Sequence, residues 1–155
     1  MKLSENFSLQ ELLKSQTALR KGIDNKPTDP SVITNLQVLC EKVLQPIRDH
    51  FARPVVINSG YRCPKLNKAI GSSSKSQHTK GEAADIEIPG LSNKELAEYI
   101  EDNLPFDQLI LEFYTPGIPD SGWVHVSYKS EGNRKSILTA MKENGKTVYK
   151  PGLIQ

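Results

Sequence analysis

The chain has 155 residues, with 20 Lys and Arg against 18 Asp and Glu for a net charge of +2, so it can bury a hydrophobic core without disulfides or a structural metal and does not demand a polyanionic partner. Aromatic residues are only 6% and are not interleaved with basic runs, which argues against a nucleic-acid platform. No segment approaches the roughly 18 apolar residues of a membrane span, and the opening "MKLSENFSLQELLKS" lacks the apolar run of a secretory signal. The expectation is a single domain over residues 1–155, a monomer synthesised in the cytoplasm, not inserted in a membrane, with no repeats or linkers.

In chain order, Ser8 with Glu11 predicts a capping box that opens a short first helix. Asp29 as cap and Pro30 in the first turn open the longest helix, on which Leu36, Leu39, Cys40, Val43, Leu44 and Ile47 recur at helical spacing. His50, near its end, complements the helix C-terminus. "RPVVINSGYR" reads as a buried strand running into a turn, "CPKLNKAIG" as a short helix closed by Gly71, and "SSSKSQ" as an exposed loop. "EAADIEI" alternates as a strand, with Asp85 on the face opposite Ala84 and Ile86. Ser92 and Glu95 predict a second capping box before a helix carrying Leu96, Tyr99 and Ile100 on one face. "FDQLILEF" and "GWVHVSYK" are neighbouring strands around a Pro- and Gly-bearing loop, and Asn144-Gly145 marks a C-terminal hairpin over 134–150. The fold class is α+β: N-terminal helices packed on a mainly antiparallel sheet. The two cysteines, Cys40 and Cys63, form no CxxC pair and read as locally packed thiols.

Chemistry concentrates in "SQHTKGEAAD" and "GWVHVSY". Alternation puts Trp123, His125 and Ser127 on one strand face, away from Val124 and Val126. A histidine there is either a satisfied core residue or a ligand. If His78, Asp85 and His125 meet, two imidazoles and one carboxylate leave a fourth tetrahedral position open, the ligand count of catalytic zinc. No G-x-S-x-G setting exists for a serine nucleophile.

Ser76, His78, Gly81, Ala83 and Asp85 together spell S-x-H-x-x-G-x-A-x-D. This resembles the zinc-ligand motif of the D-alanyl-D-alanine metallopeptidase superfamily, which includes D-Ala-D-Ala carboxypeptidases and dipeptidases, phage murein endopeptidases and the hedgehog signalling domain. "SGYRCPKLN" upstream and "WVHVS" downstream are similar to the same superfamily, and "SLQELLKSQTALRKGIDN" resembles its small phage-type branch, so the likeness runs over residues 7–129. It implies one zinc per chain held by His78, Asp85 and His125, and hydrolysis of peptide bonds in bacterial peptidoglycan, as by a phage endolysin that reaches the cell wall after release.

Within that resemblance Arg62, in the SGYR context, binds a substrate carboxylate or stabilises an oxyanion, the alternative being a surface salt bridge. Ser76 bonds a ligand or the substrate, unless it is merely solvated, while Gly81 and Ala83 let loop and strand approach the metal. Tyr61 and Trp123 line the cleft or pack in the core. Many relatives carry an acid three residues before the last histidine, where this chain has Gly122. The base must come from elsewhere. Glu112, on a strand in apolar surroundings, is preferred to Asp120 in the loop, and Glu82 and Glu87 rank behind both. Two other readings stand: a zinc-containing binding module without turnover, and a carboxypeptidase acting on D-Ala-D-Ala termini.

Overall fold

The computed structural model describes residues 1–153. A two-stranded N-terminal hairpin, β1 (Lys2–Ser4) and β2 (Phe7–Ser8), precedes α1 (Leu9–Leu13) and α2 (Gln16–Lys21). The capping box at Ser8 is complete, the hydroxyl accepting from the Glu11 N–H while the Glu11 carboxylate accepts from the Ser8 N–H. Next comes α3 (Pro30–Leu39), capped by Asp29, which accepts from the Ser31 N–H. The helix runs on through a π-type turn at Cys40–Leu44 into α4 (Gln45–Phe51). Pro46 accounts for that widened turn: its ring collides with the carbonyl four residues back, and one wider turn relieves the clash without ending the helix.

The sheet comprises β3 (Val56–Ser59), β4 (Ala83–Glu87), β5 (Gln108–Glu112), β6 (Trp123–Ser127), β7 (Ser136–Glu143) and β8 (Lys146–Pro151), in spatial order β3-β4-β6-β5-β7-β8. Between them lie α5 (Pro64–Ala69), a 3₁₀ turn at Gln77–Lys80 and α6 (Asn93–Asn103). The fold is α+β and the sheet mainly antiparallel, with one exception: β5 and β7 pair in parallel. The chain leaves β6, crosses the end of β5 and is fastened there by Asp107, whose carboxylate accepts from the Arg134 guanidinium and backbone while its own carbonyl accepts from Ser136. The hairpin turn places Asn144 at φ 51° and Gly145 at φ 77°, the paired left-handed residues an Asn-Gly turn supplies.

Two expectations change. β3 is an edge strand and not a buried one: Val56 is 43% exposed, because only β4 pairs with it. At α6 the Ser92 hydroxyl accepts from the Glu95 N–H. The reciprocal bond of a capping box is not formed there among the described residues.

One apolar face of the sheet, Ala84, Ile86, Leu109, Leu111, Val124 and Val126, forms a single cluster with Leu36, Leu39, Val43, Leu44 and Ile47 of the long helix and Leu96, Ala97 and Ile100 of α6. Cys40 lies inside it as a free thiol, pushed up to about 12 by burial, and Cys63 is also free, so no bridge joins them. His50 stacks on Tyr99 with ring centroids 4.0 Å apart. The other face of the sheet is left to form the floor of a cleft.

Candidate metal centre

That second face carries Asp85 and His125 directly opposite each other on the antiparallel pair β4 and β6. His78 arrives from the 3₁₀ turn, where the Ser76 hydroxyl accepts from the His78 N–H at 3.2 Å. Ser76 therefore caps the turn that presents a candidate ligand. Gly81 closes the same turn at φ 75°, and a Cβ there would lie 2.6 Å from the Val32 carbonyl oxygen. Its lack of a side chain lets the loop pack on α3, as a glycine ending a tight loop does.

One ligand atom from each of His78, Asp85 and His125 lies within 4.8 Å of the others. The His78 ring, 2% exposed, has Nδ1 at 2.7 Å from the Gly60 carbonyl, which can only accept, so Nδ1 carries the proton. The bare Nε2 then faces Asp85 Oδ1 at 3.4 Å. A lone pair facing a carboxylate oxygen is an arrangement that a cation between them satisfies, and fixing an imidazole by a bond to its other nitrogen is how ligating histidines are oriented. Burial pushes the His78 pKa down, against the pull of Asp85, which favours the neutral ligating form. His125 Nδ1 lies 3.0 Å from the same Asp85 oxygen. Burial alone would raise the Asp85 carboxyl, but its bonds to His125 and His78 hold it well below the usual carboxylate range. The donor set, two imidazole nitrogens and one carboxylate, fits zinc.

Arg62 stands beside this group, its guanidinium 4.0 Å from Asp85 Oδ2 and its side chain 12% exposed, with a buried Nε that has no partner. Burial lowers its pKa and the charges of Asp85 and Glu112 raise it. The backbone around it is tied down on every side. Arg62 N–H donates to the His78 carbonyl, Tyr61 N–H to the Leu12 carbonyl, and the Asn25 side chain bonds both the Tyr61 carbonyl and the Cys63 N–H. Gly60 is needed here too, since a Cβ would sit 2.4 Å from the Leu12 carbonyl oxygen.

Glu112 ends β5 opposite Trp123, whose indole Nε1–H donates to Glu112 Oε2 at 2.9 Å. Burial raises its pKa and the Asp85 charge adds to that, outweighing His125, the indole bond and Arg62. A carboxyl so placed is poised to exchange protons nearer neutrality. Trp123 thus both lines the cleft and holds the acid, whereas Tyr61, 5% exposed, touches the cleft from within the core. Ala83 is fully buried in β4.

The cleft has a volume of about 1090 Å³ and is bordered by Arg62, Ser76, His78, Asp85, Glu112, Trp123 and His125 together. Asp120 is exposed on the loop before β6 and does not border it. Glu82 and Glu87 also lie off the cleft, bonded to Gln77 and to Asn58 and Asn93 respectively. Sequence reasoning overlooked Asn25 and the Gly60 carbonyl. Neither carries a signal in one sequence, because their work is done through backbone contacts between distant segments.

Residues 5–127 match the model of a family described as Peptidase M15. The chain finds no match among curated proteins.

Proposed function

The chain belongs to the peptidase M15 family, and from that premise we propose that it is a zinc-dependent peptidase hydrolysing peptide bonds of bacterial peptidoglycan. The observation that carries this reading is the convergence in one cleft of a two-histidine, one-carboxylate group, a carboxyl with a raised pKa and a partnerless buried guanidinium nitrogen. The wall as substrate rests on the likeness of "SGYRCPKLN" and the N-terminal segment to murein peptidases, within which an endolysin made in the cytoplasm and released to the wall is the matching life history.

His78 through Nε2, Asp85 through Oδ1 and His125 through Nδ1 would hold the ion. Bound zinc supplies Lewis acidity and brings water near ionisation at neutral pH. Glu112 accepts a proton from the attacking water as its oxygen adds to the scissile carbonyl, and returns that proton to the amine as the C–N bond breaks. The Trp123 indole fixes one Glu112 oxygen during both transfers. Arg62 donates to the oxyanion that develops on the carbonyl, from a loop whose backbone cannot shift without breaking the Asn25 bonds.

The test is elemental analysis of the purified protein, followed by digestion of bacterial sacculi with and without a chelator and identification of the products by mass. About one zinc per chain and chelator-sensitive release of peptides is the expected result. Zinc without release would favour a binding module. Single released D-alanine residues would favour a carboxypeptidase.

The indole bond gives a signed pH prediction. Because it lowers the Glu112 pKa, Trp123→Phe should move the acid limb of kcat/KM to higher pH while the zinc content stays the same. An acid limb that does not move would show that another group governs it.

A further inference from the structure

The C-terminal hairpin lies beyond residues 5–127, yet one of its side chains borders the cleft: Tyr149 of β8. Its place follows from the register. Glu112 on β5 pairs with Ala140 on β7, and Ala140 pairs with Tyr149 on β8, so the three share one row and one face of the sheet. Ala140 offers only a methyl group, which leaves the tyrosine ring room to lean toward Glu112. The Tyr149 hydroxyl is raised by burial and by the Glu112 charge, consistent with that proximity. Even so, the residue is 55% exposed, and no aromatic partner covers its ring among the described residues. Ile70, just past α5, is 44% exposed and borders the cleft from another side.

The cleft draws lining residues from β3 at one edge of the six-stranded sheet to β8 at the other. Five strand spacings amount to about 24 Å, the span of roughly seven residues of extended chain. The candidate ligands on β4 and β6 lie inside this span, not at its end. A pocket for a chain terminus needs a closed end; this floor continues past the metal centre on the β8 side.

We infer that Tyr149 is a specificity-determining residue, forming a subsite on the β8 side of the metal centre that stacks against the part of an extended wall peptide continuing beyond the scissile bond. The inference rests on the peptidase reading and adds to it a preference for long substrates. An exposed aromatic face suits this task, since it offers a large, stiff contact area at low entropic cost.

The test begins with the bond identified by digestion of sacculi. Two synthetic peptides are then compared, both containing that bond, one ending a single residue beyond it on each side and the other extending three residues each way. Tyr149→Ala should raise KM for the long peptide about tenfold, leave its kcat nearly unchanged and leave kcat/KM for the short peptide within about twofold. Tyr149→Phe should retain most of the preference. Thermal melting of both variants controls for the hairpin. Equal losses on the two peptides, or no loss on either, would overturn the subsite while leaving the peptidase reading intact. A wild-type protein, zinc-loaded, that releases nothing from sacculi and cuts neither peptide would overturn both.

Discussion

Glu112→Gln is expected to lower hydrolysis of sacculi by about 10²- to 10⁴-fold, the usual contribution of a general acid-base group, while the zinc content of the protein stays at the wild-type value. The amide keeps the size of the side chain and can still meet the Trp123 indole through its carbonyl oxygen, so lost packing would not explain the effect. It cannot take up the proton. A second readout separates this role from a structural one. The native carboxyl has a raised pKa, so the folded chain binds that proton more tightly than the unfolded chain, and stability falls as pH climbs from the unfolded toward the folded pKa. Above the folded value the destabilisation is fully present. Chelator-treated Glu112→Gln should therefore melt higher than chelator-treated wild type at pH 7, and the two should converge in acid, where both side chains are neutral. An inactive variant that melts lower at every pH would mark Glu112 as a packing residue. Full activity with Glu112→Gln would require another base.

Two of the three candidate metal ligands, Asp85 and His125, are legible because strand alternation is a strong local rule. Once "EAADIEI" and "GWVHVSY" are strands, Asp85 and His125 must turn away from Ala84, Ile86, Val124 and Val126, and the antiparallel register brings them face to face. The long helix was legible for a similar reason, although the π-type turn before Pro46 was not, since a proline inside a helix can be met by a kink, a break or a widened turn. What stayed hidden depends on contacts between segments far apart in the chain. The edge position of β3 follows from which strands pair and not from its own residues, so the apolar "VVIN" read as buried. The parallel pairing of β5 with β7 depends on the Asp107 anchor at the crossover, and the role of Gly81 depends on the carbonyl of Val32, which lies on α3. Tyr149 is two strands away from Glu112, a neighbour that becomes visible only through the small residue between them.

The same dependence on distant backbone explains why position 122 carries no acid. Gly122 has φ 67°, and a Cβ built there would lie 2.0 Å from the Glu112 carbonyl oxygen and 2.7 Å from the carbonyl carbon of Phe113. Phe113 is itself left-handed at φ 56°, with its N–H bonded to the Ala140 carbonyl. The segment on the other side is equally fixed, because the Asn93 amide donates to the carbonyls of Ser121 and Gly122. Backbone therefore fills the space that an acid three residues before His125 would need. Gly122→Asp, which would put a carboxylate back at that position, is expected to destabilise the protein by about 3 kcal/mol or more, combining roughly 1–2 kcal/mol for the left-handed backbone with the displacement of β5. It should also lower activity sharply, since the backbone it displaces is that of Glu112. Combined with Glu112→Gln it should restore nothing. Chemical denaturation and sacculus digestion of the single and double variants measure both effects. A stable Gly122→Asp variant that rescued Glu112→Gln would show that the β5–β6 corner yields easily, and that the carboxylate can work from either strand.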